Sequence, residues 1–147
     1  MKELQTIITN KYLYVPLIVW FCIQVFKVIT DLIKTKKFNF KRIMGAGGMP
    51  SSHSAVVTSL ATLVGIERGF NSTDFAIVAV FALIIMYDAT GVRRAVGKQA
   101  AILNQILDDI HHKKHIEQKR LKELIGHTPK EVLFGAILGI LTAIVFV

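Results

Sequence analysis

The chain has 147 residues, which corresponds to one domain, and its 52% hydrophobic and 19% charged residues make it too apolar for an ordinary soluble core. The formal net charge of +8 needs no nucleic acid to explain it, because basic segments beside membrane spans are attracted to anionic lipid headgroups. A single cysteine excludes an intrachain disulfide. We therefore predict one integral-membrane domain over residues 1–147, with membrane lipids as partners.

Apolar residues are concentrated in four blocks, which favours membrane spans. Buried helices of a soluble protein are the alternative. The blocks cover residues 12–33, 54–66, 75–87 and 132–147. The second and third blocks are shorter than the roughly 20 residues of a lone spanning helix. Neighbouring residues, including polar ones, must therefore complete the crossing. Lys27 and Asp31 interrupt the first block, which argues against a cleaved signal peptide. The prediction is an all-α, polytopic helical membrane bundle with about four spans.

Positive charge is concentrated in the first and third connections between these blocks. On the other side lie only Lys2, Lys11 and Arg68. The positive-inside rule then places both termini outside and both long connections in the cytoplasm of a bacterial plasma membrane. The second connection, ERGFNSTDF, reads as a tight hairpin in which Gly69 ends one helix and Asn71, Ser72 or Thr73 caps the next.

The third connection begins with KQAAILNQILDDI, whose apolar residues recur at helical spacing on one face. We expect an amphipathic helix along the cytoplasmic surface. His111 and His115 follow at the i, i+4 spacing of some zinc sites, but no carboxylate or cysteine completes a ligand set. The favoured interpretation is a solvated His/Lys run, and no metal or other cofactor is expected.

Three polar segments fall at the cytoplasmic ends of three spans and should face one another. GGMPSSH opens the second span, YDATGVRR closes the third, and GHTPKEV opens the fourth. Helix N-termini present unpaired N–H groups and the positive end of the dipole, so two of them beside Arg93 and Arg94 favour a multiply charged anion such as phosphate. We expect phosphate contacts from Gly48, Ser51, Ser52, Arg93 and Arg94.

His127 and His53 are predicted to have different roles around such an anion. The spacing of His127 and Glu131 lets the carboxylate hydrogen-bond one ring nitrogen and leave the other to attack. His53 could protonate the leaving oxygen, while hydroxyl and backbone N–H groups hold the phosphoryl oxygens. Asp88 reads as a structural partner of Arg93 or Arg94, since ionisable groups near the membrane are usually paired.

The same residues also have purely structural readings. Gly47, Gly48 and Pro50 could turn the chain into a helix that Ser52 or Ser54 caps. Thr128 could cap the last helix with Pro129 at its first position, a role compatible with catalysis at His127.

PSSH, at residues 50–53, resembles the Pro-Ser-Gly-His motif of type 2 phosphatidic acid phosphatases and vanadium haloperoxidases. His127 with Glu131 is similar to that superfamily's nucleophilic histidine and following aspartate. GGMPSSHSA, YDATGVRRAVGKQA and GHTPKEV together resemble its divergent branch of small bacterial and plastid membrane proteins. The resemblance implies a related helical core and phosphatase chemistry, with Lys27 as a further phosphate ligand.

The chain departs from the superfamily pattern at several places. After Lys27 and six further residues comes Lys34-Thr35, where the family has Arg-Pro. Leu121 occupies the position of an arginine before the histidine, with Arg120 one step away, so Arg93 or Arg94 could substitute. Serine replaces glycine at Ser52, and Glu131 replaces aspartate.

Two functions follow from these patterns. The first is a metal-independent phosphatase that hydrolyses a lipid phosphate or pyrophosphate through a phosphohistidine. The second is a non-catalytic membrane protein that binds phosphorylated lipid, or another anion, at the same site. An intact nucleophile with its carboxylate favours the enzyme, since anion binding alone needs only cations and N–H groups. Dimerisation would shield the charged groups that four helices leave exposed.

Overall fold

The computed structural model describes residues 2–36, 38, 48–111 and 126–147. Over these residues the chain is helical throughout and contains no strand, which confirms the all-α prediction. The helices are α1 (Lys2–Ile8), α2 (Lys11–Thr35), α3 (Ser52–Arg68), α4 (Thr73–Thr90), α5 (Val92–His111) and α6 (Pro129–Val145). The predicted apolar blocks correspond to α2, α3, α4 and α6.

Side-chain caps fix where three of these helices begin. Ser72 caps α4, and Gly69, at φ +92°, ends α3, as the hairpin pattern predicted. Thr128 caps α6, with Pro129 in the first turn. The cap of α3 is Ser51, whose hydroxyl oxygen accepts from the Ser54 amide at 3.3 Å, so the prediction of Ser52 or Ser54 as the cap was wrong.

The third apolar block ends differently from the prediction. Helix α4 stops at Thr90, Gly91 forms a turn, and α5 begins at Val92. Arg93 and Arg94 therefore belong to the first turn of α5, not to the end of the third span. The amphipathic segment predicted over 98–110 lies within α5, which contacts α4.

Helix α3 is the centre of the bundle and packs against α2, α4 and α6. The apolar core is formed by one face of α2 together with α3 and α6, through the side chains of Val15, Val19, Ile23, Ala55, Leu63 and Ala143. These side chains are at most 6% exposed. Because α3 touches three helices, its small residues determine how closely those helices approach.

Two glycines bring α6 onto α3. A Cβ at Gly135 would meet the Ser51 carbonyl oxygen, and one at Gly139 would meet the Ala55 carbonyl oxygen and the Thr58 hydroxyl. Ser51 and Ala55 are four residues apart, as are the two glycines, so α3 and α6 run parallel. The Thr58 hydroxyl also donates to the Ala136 carbonyl at 3.1 Å. Small residues and hydroxyl groups at such contacts are typical of helix packing in membranes.

An ionic cluster joins α2 to α3 at the opposite end of the bundle. Lys11 forms an ion pair with Glu67, and the Tyr12 hydroxyl donates to the same carboxylate at 2.6 Å. This contact fixes the antiparallel register of the two helices. Fifteen residues separate Tyr12 from Lys27, and fifteen separate Glu67 from Ser52, so Lys27 lies level with the start of α3.

The outer surface of the bundle is strongly apolar. Side chains such as Leu83 and Leu133 are 64% and 60% exposed, as expected where lipid covers the helices. Among the described residues, two stretches are long and apolar enough to cross a membrane, Lys11–Ile33 and Thr73–Asp108. Helices α3 and α6 have 17 residues each, so the number of four spans stays a prediction.

Replacing Gly139 with leucine should force α6 away from α3. We expect the free energy of unfolding to fall by about 2 kcal/mol or more, as for other overpacked contacts. Unfolding of the purified protein in detergent measures the change. Leu141→Ala, on the exposed side of the same helix, is the control and should have a small effect. An unchanged stability for Gly139→Leu would contradict the close packing of α3 and α6.

Candidate active site

Backbone hydrogen bonds hold together the three polar segments that the sequence singled out. The His127 amide donates to the Ala89 carbonyl at 3.0 Å, which ties the start of α6 to the end of α4. The Ser51 amide donates to the Glu131 carbonyl at 3.0 Å, which ties the start of α3 to the first turn of α6. The structure thus brings residues 48–53, 87–94 and 126–132 to one end of the bundle.

Gly126 allows the segment before α6 to lie close to the start of α5. A Cβ at Gly126 would collide with the backbone of Arg93 and Arg94 at the start of α5. Only a residue without a side chain lets the segment before α6 lie this close to α5. His127, the next residue, is thereby placed between α4 and the start of α3.

Two imidazoles face each other in the interior of this end. The ring centroids of His53 and His127 are 5.8 Å apart, with the ring planes at 77°. The His127 side chain is 1% exposed, and neither of its ring nitrogens has a hydrogen-bond partner among the described residues. Nδ1 of His53 is also without a partner there. Buried polar atoms are normally satisfied, so three such nitrogens in one place indicate a site for a ligand.

Serine hydroxyls line the start of α3 beside these rings. Ser51, Ser52 and Ser54 are buried. The Ser54 hydroxyl donates to the Ser51 oxygen at 2.9 Å, and that oxygen also accepts from the Ser54 amide. Ser51 therefore acts as a helix cap and retains its own proton for donation. Gly48 has φ +84° immediately before the turn into α3, a conformation that favours glycine.

Lys27 is the cation that lies deepest in the bundle. Its side chain is 1% exposed, and the register of α2 with α3 places it level with Ser52. A buried lysine in an apolar helix is costly and marks a functional position. The resemblance implied a phosphate ligand here, and that role stays a prediction.

The two arginines of α5 have different surroundings. Arg93 Nε lies 2.5 Å from the Asp88 carboxylate, so the predicted pairing of Asp88 is present and Arg93 is the partner. Both side chains of this pair are partly exposed. Arg94 is exposed, and its backbone packs against Gly126. Of the two, Arg93 is the one whose charge acts on His127.

Glu131 performs a different task from the one predicted. Its carboxylate accepts from the Thr128 amide at 2.9 Å, while the Thr128 hydroxyl accepts from the Glu131 amide, which forms a capping box. The expected hydrogen bond from His127 to this carboxylate is not formed. The reason is local, because the first turn of α6 offers the carboxylate unpaired N–H groups at shorter reach.

The electrostatic setting keeps His127 neutral. Burial, and then the positive charges of Lys27, His53 and Arg93, lower the pKa of His127 from 6.5 to about 4. A neutral imidazole has a lone pair available on one ring nitrogen at neutral pH. The arrangement therefore presents a nucleophile among cations. The side chain of His111 and all of His115 lie outside the described residues.

Comparison with known proteins gives a family and a relative for this chain. The Divergent PAP2 family matches the chain over residues 8–142. The chain belongs to this family. It is also 44% identical over 133 residues to the uncharacterized membrane protein YuiD of Bacillus subtilis (strain 168), covering 83% of this chain and 84% of the relative. No solved structure matches.

One residue of this divergent PAP2 family protein escaped the sequence analysis. Gln24 of α2 is 6% exposed, and its Oε1 has no hydrogen-bond partner among the described residues. It precedes Lys27 by three residues and so lies on the same side of the helix. The available signal was an amide in an apolar span, one turn from a lysine.

Stability of this family member should decrease in acid because of His127. Its pKa is about 4 in the folded protein and 6.5 ordinarily, so the unfolded chain binds the proton more tightly. The contribution of His127 to the free energy of unfolding should be complete above pH 6.5 and decline as the pH falls toward 4. Denaturant unfolding in detergent across this range should show a shallower decline for His127→Gln. Equal slopes for both proteins would contradict the depressed pKa.

Proposed function

We propose that this divergent PAP2 family protein is a metal-independent phosphatase that hydrolyses a lipid phosphate or pyrophosphate through a phosphohistidine. The observation that carries the proposal is the pair of facing imidazoles with unpartnered nitrogens, set at two helix N-termini beside a buried lysine. An anion-binding site alone would need the cations and N–H groups but no neutral imidazole.

In the first step a ring nitrogen of His127 attacks phosphorus. The P–N bond forms while the P–O bond to the leaving alcohol or phosphate breaks, and His53 in its protonated form supplies the proton to that oxygen. The ring centroids are 5.8 Å apart, so a phosphoryl group bound to a ring nitrogen of His127 would lie within reach of the His53 ring.

In the second step water attacks the phosphohistidine. His53, now neutral, takes a proton from the water as the new P–O bond forms and the P–N bond breaks. Inorganic phosphate leaves, and both imidazoles return to their starting states. No further reactant is required.

Negative charge on the phosphoryl oxygens is held by fixed positive groups. The N-termini of α3 and α6 supply partial positive charge and N–H donors, and Ser51 and Ser52 supply hydroxyl groups. Lys27 and Arg93 add full charges from two other helices. The Arg93 guanidinium also pairs with the Asp88 carboxylate. This pair holds the guanidinium near the site and limits how far it can extend.

The proposed setting is a bundle of four spans in a bacterial plasma membrane, with both termini outside and this site at the cytoplasmic surface. The apolar exterior and the parallel course of α3 and α6 support it, since two parallel spans start on the same side. Phosphorylated lipid in the inner leaflet is the proposed substrate, and a second copy of the chain is a proposed partner that would cover part of the helix surface.

The non-catalytic alternative rests on a specific observation. The Glu131 carboxylate binds the Thr128 amide, so no carboxylate of the described residues hydrogen-bonds His127 to orient it. In that case the same cations and helix ends would bind a phosphorylated lipid without turnover. Hydrolysis assays of the variants below separate the two functions.

Replacing His127 by glutamine should abolish hydrolysis and the phosphoenzyme, because the P–N bond can no longer form. The segment should keep its place, since its link to Ala89 uses the backbone amide. The variant should still bind phosphorylated lipid through the remaining cations and N–H groups. Purified protein in detergent is assayed against phosphatidate, phosphatidylglycerol phosphate and polyprenyl pyrophosphate, with and without chelator and vanadate.

Glu131→Gln is the matched control, because glutamine can also complete a capping box. Because the Glu131 carboxylate bonds the Thr128 amide and not His127, this variant should leave hydrolysis and lipid binding nearly unchanged. Undiminished hydrolysis by His127→Gln would exclude the phosphohistidine mechanism. No activity of the wild-type protein on any of the three lipids would favour the anion-binding alternative.

The proposed orientation predicts which positions an impermeant thiol reagent reaches in intact cells. With Cys22 replaced by serine, a cysteine at Asn71 in the α3–α4 turn should be labelled from outside, because this turn would face away from the cytoplasm. A cysteine at Lys98 in α5 should be labelled only after the cells are opened. Both residues are exposed in the folded protein, so burial does not account for a difference. The reverse pattern would overturn the orientation.

A further inference from the structure

Gln24 is a buried polar residue that the proposed reaction does not use. Its side chain is 6% exposed, and its Oε1 is one of four buried side-chain atoms without a hydrogen-bond partner in the described part of the chain. The other three are ring nitrogens of His53 and His127. Leaving a buried acceptor without a hydrogen bond destabilises the folded protein, so Gln24 Oε1 is a candidate to accept a hydrogen bond from a ligand.

The helix register shows where this amide lies relative to the phosphate site. Gln24 precedes Lys27 by three residues, which places it about 4.5 Å nearer the middle of the bundle. The antiparallel register set by Tyr12 and Glu67 brings it level with Ala55, one turn into α3. Lys27 lies at the height of the helix N-termini, so Gln24 lies about one helical turn farther toward the middle of the bundle than the proposed phosphate position.

The part of a lipid phosphate at that depth is the group that carries the phosphate. A primary amide offers one oxygen acceptor and two N–H donors, and it can turn to present either. The glycerol backbone of a glycerolipid has ester oxygens or hydroxyl groups within reach of the phosphate-bearing carbon. A polyprenyl phosphate has only hydrocarbon there and would leave the amide unsatisfied.

We propose that Gln24 is a specificity-determining residue that hydrogen-bonds the glycerol backbone of the substrate and so selects glycerolipid phosphates over polyprenyl phosphates. This inference rests on the proposed function for the position of the phosphate. It assigns the substrate class that the cations and histidines leave open, because those groups contact only the phosphoryl group that both classes share.

The test compares Gln24→Met with the wild-type protein on phosphatidate and on a polyprenyl phosphate. Methionine keeps the length of the side chain and removes the amide. The ratio of kcat/KM for phosphatidate to that for polyprenyl phosphate should fall roughly tenfold, the effect of one neutral hydrogen bond. Gln5→Met, at an exposed glutamine of α1, is the matched control and should leave the ratio unchanged.

The same preference is measured without turnover by the thermal shift that each lipid produces. A wild-type preference for phosphatidate that disappears in Gln24→Met supports the inference by either measurement. Equal losses for both lipids, or no loss, would overturn it while leaving the phosphatase proposal intact. If the wild-type protein hydrolyses neither of these two lipids, the thermal shifts alone decide the role of Gln24: shifts that do not distinguish the lipids refute it. The phosphatase proposal fails only if phosphatidylglycerol phosphate and polyprenyl pyrophosphate are also not hydrolysed.

Discussion

The close parallel contact between α3 and α6 is the constraint on which the candidate site depends. Gly135 and Gly139 let the two helices touch backbone to backbone, and the Ser51 amide bonds the first turn of α6. Their N-termini therefore end side by side, with both dipoles pointing the same way. Two positive helix ends side by side repel each other, and the Glu131 carboxylate in the capping box of α6 offsets part of that repulsion. A bound anion between the ends would offset more of it, which supports the proposed anion site.

Polar groups inside this bundle divide into two kinds. The hydroxyl groups of Ser54, Thr58 and Ser59 bond to helix carbonyls or to a neighbouring hydroxyl, so they are satisfied within the fold. The unsatisfied atoms belong to His53, His127 and Gln24 in the described residues. Packing alone explains the first kind. The second kind costs stability in the free protein, which is the pattern expected where evolution has kept a group for binding or chemistry.

Short-range signals in the sequence predicted helix ends correctly. The hydrogen-bond partners of side chains were predicted less well. Thr128-Pro129, Ser72 and Gly69 mark helix ends by short-range chemistry, and the structure has those ends. The break at Gly91 was missed because the residues on both sides of it are compatible with a helix, and a lone glycine within such a pattern does not by itself mark a helix end. The bond of Glu131 was missed because spacing permits two acceptor roles and only the folded turn decides between them. Gln24 was missed because a helix that is apolar on most sides gives no periodic signal of which side is buried.

The shortness of the helices has a consequence for the surrounding bilayer. Helices α3, α4 and α6 contain 17, 18 and 17 residues, which correspond to about 25–27 Å, whereas a hydrocarbon core measures about 30 Å. In the proposed topology this hydrophobic mismatch thins the membrane around the bundle. The headgroup plane then dips toward the helix N-termini. A lipid can present its phosphate to the two histidines while its chains stay in the leaflet, so access requires lateral diffusion and no extraction into water.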